Sequence, residues 1–371
     1  MKPLAIALCL CCLLGCSGDP EQGPSTGSAG ITTAGPAIVL IESVVLQESD
    51  TLYLGRPLSM AIDETDGSLY IGDTYGGRVI RYDRRGQPIG VYGAPGTGPG
   101  EIGQLGAVFL VPGAIGVVDT RTGSLKLFDR EQGIAIRSAP FFGIPNPVIA
   151  PASGRVWIGA RIVSTNSSIV AWDPKTDSLE HMGPMPVEFT TYPNLPRFNT
   201  IPVVPWADTL LVGWGPLNGL VLMTTRDQLL DTIIVPVVRR RGASTAAIQA
   251  AGTDLAPLLN GVSLFIGMHR RPDGSVALVH FDNHVETERV PRITASVFVS
   301  VLSADRSRVC ADGQVPVVSD AQPVVQLAGD TLFVLEQRVV DTTTTSQVRM
   351  FRIDTAACDW VSIKPPTNGL F

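Results

Sequence analysis

The chain is short of charge. Only 17% of its 371 residues are charged, against 44% hydrophobic. That balance excludes a disordered or coiled-coil protein, either of which needs far more charge and less apolar material. Basic residues are scarcer than acidic ones, 28 Lys and Arg against 34 Asp and Glu, for a net charge of −6. A nucleic-acid binder carries a basic face, so no nucleic-acid partner is expected. Long apolar runs are missing too. The run Leu4–Leu14 would rise only about 16 Å as a helix, too short for a ~30 Å hydrocarbon layer. Cysteine thins out after the first residues: Cys9, Cys11, Cys12 and Cys16 are followed only by Cys310 and Cys358. No GxxxxGK[ST] phosphate loop and no HExxH zinc pair occurs. Glycine (38) and proline (29) are plentiful without a G-X-Y period, so turns are frequent and long helices are not expected.

What is present at the N-terminus is an address. Lys2 precedes the apolar run, which reads as a signal peptide over residues 1–15. The run ends in Leu13-Leu14-Gly15-Cys16, which resembles the bacterial lipobox. That resemblance implies cleavage before Cys16 and acylation of its thiol and its new amino group. Two or more acyl chains hold a protein stably on a bilayer, where one does not. Residues 16–36, rich in Gly, Ser, Thr and Pro, read as the lipidated Cys and a flexible tether. Ser17 after the Cys implies passage to the outer membrane, facing the periplasm or the cell surface. Cys310 and Cys358 either pair or stay as two buried thiols, because spacing gives no Cα separation.

Residues 37–371 repeat. A pattern of three apolar residues, a small one and a polar one recurs, strictly or loosely, six times. It starts at Leu69, Ile115, Val156, Leu210, Val276 and Leu332, at spacings of 41 to 66 residues. Near-continuous apolar strands of this kind are buried on both faces. Tight-turn pairs such as Asp66-Gly67 and Asp273-Gly274 precede most copies, and an alternating strand follows, as in Val79–Asp83 and Leu125–Asp129. The reading is all-β: a six-bladed β-propeller of four-stranded antiparallel blades. The strand Ala37–Leu46 lacks a turn partner and is expected to complete the last blade, Gln322–Ile363. The segment from Pro57 to Leu105, and above all Gly98-Pro99-Gly100-Glu101, resembles the NHL-type, TolB-like six-bladed propeller lipoproteins of bacteria. The family implies fold and location but little chemistry.

Several stretches invite a sharper reading. The Gly-rich Gly93–Glu101 run has no helix after it to bind phosphate and reads as a loop between blades. Asp63–Asp73 looks acidic enough for calcium but lacks oxygen ligands at alternating positions, so a hairpin explains it. Trp157 and Trp172 read as core, and Trp214 as a rim residue. One short helical insertion is expected near residues 243–259, capped by Ser244 or Thr245. It is either a surface helix beside a solvated Arg239–Arg241 cluster or a lid turning that cluster to an anion.

In a propeller, the loops joining second to third strands share one face with the connectors between blades. That mouth should present Asp73, Tyr75, Asp119, Arg121, Arg161, Trp214, Asn218, His280, Asp282, His284, Glu336 and Arg338 to a polar ligand. The fifth-blade loop, Asp282–Thr294, should be the longest, and His280 and His284 could converge on a cation. No cofactor is expected, and the oligomeric state is open. The leading functional expectation is a membrane-anchored binding or scaffold module for a polar ligand, a polysaccharide or an envelope protein. The alternatives are a lactonase-, lyase- or hydrolase-type propeller with a metal in its channel, and a structural part of an envelope complex.

Overall fold

The computed structural model describes residues 34–363, apart from 142–143, 153, 163, 192–199, 207, 244–245, 247, 250–254, 287–291 and 342. The segments read from the sequence as a signal peptide and, for the most part, as a tether lie outside the described residues, as do Cys16, Ser244 and Thr245.

The chain enters through β1 (Ala37–Val45) and then builds blades in sequence order. Blade 1 is β2 (Pro57–Ile62), β3 (Leu69–Asp73), β4 (Arg78–Tyr82) and β5 (Pro88–Tyr92). Blade 2 is β6 (Leu105–Val111), β7 (Ala114–Asp119), β8 (Ser124–Asp129) and β9 (Ala135–Pro140). Blade 3 is β10 (Ile144–Ala152), β11 (Arg155–Ile162), β12 (Ser167–Asp173) and β13 (Ser178–Pro184). The helix α1 (Glu188–Thr191) follows in the connector. Blade 4 is β14 (Val203–Trp206), β15 (Thr209–Gly213), β16 (Gly219–Thr224) and β17 (Leu229–Ile234), and α2 (Leu255–Gly261) lies in the connector after it. Blade 5 is β18 (Ser263–Arg270), β19 (Val276–Glu286), β20 (Arg292–Leu302) and β21 (Arg308–Val315). Blade 6 is β22 (Val324–Ala328), β23 (Thr331–Val340) and β24 (Thr343–Asp354), completed by β1 on β24 from Ala37↔Asp354 to Val45↔Gln347. The ring is a six-bladed β-propeller closed by its N-terminal strand.

Two details depart from the sequence reading. The C-terminal strand β25 (Trp360–Ser362) joins blade 5, pairing with β21, so the last blade ends at Asp354. Cys310 on β21 is bonded to Cys358 just before β25, which ties that extra strand in place. The connector before blade 4 also holds a short helix that the composition did not signal.

The repeated second strands, β3, β7, β11, β15, β19 and β23, explain the ring's core. Successive side chains of a strand point to opposite faces. Leu69 and Ile71 therefore pack toward blade 6, while Tyr70 packs toward blade 2. The same alternation yields six apolar clusters, one between each pair of neighbouring blades. Both faces of the strand are dry, which is why the run is apolar throughout. The small residue of the pattern has its own cause. A Cβ at Gly72, Gly159 or Gly213 would overlap Leu105, the Ile201 backbone or the Phe265 ring, each from the chain that begins the next blade. Glycine is the residue that lets the neighbouring blade approach this closely.

Candidate binding face

The polar residue that ends the pattern turns inward to the backbone. In blade 2, Asp119 is buried and accepts from the Gly103 amide (3.0 Å), the Gln104 amide (3.1 Å) and the Lys126 ammonium (2.8 Å). Lys126 also donates to the carbonyl of Glu101, so it closes the Gly-rich loop from below. Burial alone would raise the Asp119 carboxyl, but the Lys126 bond and the amides outweigh it and bring it down to about 2. In blade 1, Asp73 accepts from the Arg56 amide (2.9 Å). In blade 5, Asp282 accepts from the Arg241 amide (3.0 Å) and from the Ser263 hydroxyl (2.5 Å). In blade 6, Glu336 accepts from the Val318 amide (2.8 Å) and from Gln347 (3.0 Å). Arg56, Gly103, Gln104, Arg241 and Val318 all belong to connectors that arrive from the preceding blade. Three carboxylates at the fifth position of the repeat, Asp73, Asp119 and Glu336, and Asp282 two residues beyond that position thus clamp four inter-blade connectors. Charge-assisted bonds to backbone amides are the strong kind.

This corrects the placement of Asp73, Asp119, Asp282 and Glu336 on solvent-facing loops. Each is a strand residue and each is buried. A carboxylate on a buried strand meets the unpaired amides of the connector crossing beside it, and satisfying them is cheaper than leaving both desolvated.

The fifth blade departs most from expectation. Residues 282–286 continue β19, and Arg292–Leu302 is β20, so only residues 287–291 lie between them. His280 is a buried strand residue stacked on Phe265 with 4.7 Å between ring centroids. Burial, then the nearby Arg240 charge, drives its pKa well below the usual value and keeps it neutral. His284 lies four strand residues on, about 13 Å away along an extended chain. It is exposed, 3.1 Å from Arg241 and 3.5 Å from the Ser296 hydroxyl. The two histidines do not converge on one cation, because the segment is a strand and not a loop. Among the described residues, no group of three or more His, Cys, Asp or Glu is placed to hold a metal.

Trp214 was expected at the rim and is instead buried against Leu217, Ile248 and Leu258, beneath the connector that carries α2. Arg240 is likewise not solvated. Its guanidinium sits 3.0 Å from Asp312 and 2.9 Å from the Asn218 side-chain oxygen Oδ1, fully buried. Asp312 lies at an irregularity of β21 with φ 56°, which turns its carboxylate to the amides of Val238 (2.6 Å) and Arg239 (2.8 Å). Asn218 accepts from Ala243 as well (3.1 Å). Arg241 donates to the carbonyls of Asn283 and Leu259, and Asn260 exchanges bonds with Val285, so the α2 connector straps the upper half of β19. The arginine triplet showed in the sequence. Its partner Asp312, 72 residues away, carried no signal there beyond an ordinary Asp-Gly pair.

The structure therefore brings Asn218, Asp282 and His284 into one polar network through Arg240 and Arg241. Tyr75, Arg121 and Arg338 stay exposed on separate blades, Tyr75 with the Arg56 guanidinium 5.9 Å from its ring. Arg161 is a partly buried strand residue of β11.

No protein-family model matches the chain, and no curated protein matches it. Solved structures do share its shape. A member of the DUF4221 family from Bacteroides vulgatus superposes with a TM-score of 0.61 at 12% identity, covering 90% of this chain and 100% of that one. A candidate exported protein from Bacteroides fragilis superposes with a TM-score of 0.60 at 8% identity, covering 88% and 98%. At such identities the likeness is one of fold: all three are propellers of the same architecture.

Proposed function

We propose that this chain is a lipid-anchored propeller of the bacterial cell envelope, kin to the NHL-type six-bladed lipoproteins. In this reading it binds a polar ligand, a polysaccharide or a protein partner at its mouth face and catalyses no reaction. One observation carries the non-catalytic part. The carboxylates that the repeat delivers to the mouth are spent on connector amides, and His280 is sealed in a blade interface, so these groups serve rigidity. What the mouth offers to a partner is Tyr75, Arg121, His284 and Arg338, spread over several blades, which suits a broad polar surface. The lipobox at Leu13–Cys16 supports the anchor, and the candidate exported protein of the same fold supports the envelope location.

Photocrosslinking in the native host tests the binding face. A benzoylphenylalanine at Tyr75, Arg121 or Arg338 should capture a partner, and one at Asp66 or Asp273, in the hairpins of the opposite face, should not. Hydrolysis of a lactone or ester that requires a divalent ion and stops with EDTA would replace this reading with the enzyme.

A further inference from the structure

The outer strands of the six blades are not alike. On β13 of blade 3 the exposed residues include Ser178, Glu180 and His181, and on blade 5 the outer strand β21 is covered by β25. Blade 4 exposes Leu229 and Leu230 at the start of β17, isolated between these two edges, whereas three consecutive blades expose large aliphatics side by side: Leu40 and Ile41 (56% exposed) on β1 of blade 6, Ile89 (52%) and Val91 on β5 of blade 1, and Ile134 (56%) and Ile136 at β9 of blade 2. The three edges are stitched together. Gln47 after β1 donates to the Gly86 carbonyl of blade 1, and the Tyr92 hydroxyl of blade 1 donates to the Arg130 carbonyl of blade 2. The apolar residues therefore form one sector of the rim.

Strand addition is a poor explanation. The β1 ladder breaks between Leu40 and Glu42, so Ile41 bulges out of register and the edge offers no regular template. The apolar groups also belong to three separate sheets. A fluid apolar medium needs no register, and the sequence places one nearby. Ala34 is tied to the C-terminal segment through Asp359 and feeds directly into β1. Seventeen residues, rich in Gly, Ser, Thr and Pro, separate it from Cys16. A lipid on Cys16 would tether the ring at Ala34 and Gly35, which lie against the blade 5 edge and lead straight into β1, so the apolar sector begins where the tether is rooted. Arg84 and Arg85, exposed in the turn beside β1, suit lipid phosphates.

We propose that the outer strands of blades 6, 1 and 2 form a bilayer-docking surface that lays the propeller on its side against the membrane. The proposal rests on the lipid-anchor reading. Docked this way, the channel axis runs along the membrane plane and the mouth opens sideways into the aqueous compartment.

The test uses the full chain, purified from membranes and reconstituted in phosphatidylethanolamine–phosphatidylglycerol vesicles. An environment-sensitive fluorophore is attached to Ile41→Cys, Ile89→Cys, Ile136→Cys or His181→Cys, and the mass of the N-terminal peptide is measured in parallel. The expected result is an acylated Cys16, with blue-shifted emission and quenching by nitroxide lipids at 41, 89 and 136 but not at 181. Adding Ile41→Glu and Ile89→Glu should abolish quenching at 136 without lowering the melting temperature. Acylated protein with the same solvent-like emission at all four positions overturns the docking and leaves the anchor standing. A blue shift that persists in detergent and disappears on dilution assigns the sector to a second copy, which also overturns it. An unacylated Cys16 removes the anchor and the docking together.

Discussion

Blades 1, 2, 5 and 6 are joined to their predecessors differently from blades 3 and 4. In the first group a buried carboxylate of the second strand, two residues past the fifth position of the repeat in blade 5 and at that fifth position in the others, grips the amides of the incoming connector. In the second group that position holds Ala160 and Trp214. The connector into blade 3 is only residues 141–143, so there is little backbone to grip. The connector into blade 4 is held by main-chain bonds, Gly215 to Thr200 and Gly213 to Pro202, and by the buried side chains of Phe189 and Ile201. A repeat architecture thus solves one problem in two ways, electrostatic where a connector crosses above the strand end and apolar where it folds into the blade interface.

Ring closure sets the scale against which both solutions are measured. Deleting residues 37–46 unpairs the outer edge of β24, from Gln347 to Asp354, and uncovers Val348, Phe351 and Ile353. It should remove most of the roughly 5–15 kcal/mol that a folded domain has. Circular dichroism should show no cooperative melt, while deletion of residues 17–33 leaves the melt unchanged.

Next come the two kinds of joint. Asp119→Ala strands the Lys126 ammonium in the interior and should cost about 3–5 kcal/mol in urea unfolding. Phe189→Ala opens a cavity between blades 3 and 4 and should cost about 3–5 kcal/mol as well. The two are separated by acid. The folded Asp119 pKa, about 2, lies below its unfolded value of 3.8. Its stabilisation is therefore complete above pH 4 and is lost as pH falls toward 2, an amount of about 2 kcal/mol. The penalty of Asp119→Ala should shrink over that window, and the penalty of Phe189→Ala should not. Equal pH profiles would remove the distinction between clamped and packed joints.

The disulfide sharpens the contrast from the far side of the ring. Cys310→Ala with Cys358→Ala frees β25 from blade 5 and should lower stability by about 2–4 kcal/mol. Because β25 is an addition to an already four-stranded blade, the melt should stay cooperative. The smallest effect belongs to the rim: Ile89→Thr, at an exposed outer position, should change unfolding by less than about 0.5 kcal/mol.

The propeller itself was legible in the chain, because its causes are local and repeated. Side chains that alternate between two dry interfaces demand an unbroken apolar run, and close blade approach demands glycine, so Leu69–Asp73 announces its own burial. The unpaired strand Ala37–Leu46 announced ring closure for the same reason. The candidate site was legible only as a set of positions. Asp73, Asp119, Asp282 and Glu336 stood out as polar residues after buried strands, yet a polar residue there serves a ligand or a connector equally well in one dimension. The choice was made by amides from another blade lying within 3.1 Å, a fact that depends on how the connectors cross. Likewise Arg240 met Asp312, His280 met Phe265 and β25 met β21 only through tertiary placement. Periodicity records which side of a strand is dry. It does not record which distant group waits on that side, because hydrogen-bond partners are set by blade geometry.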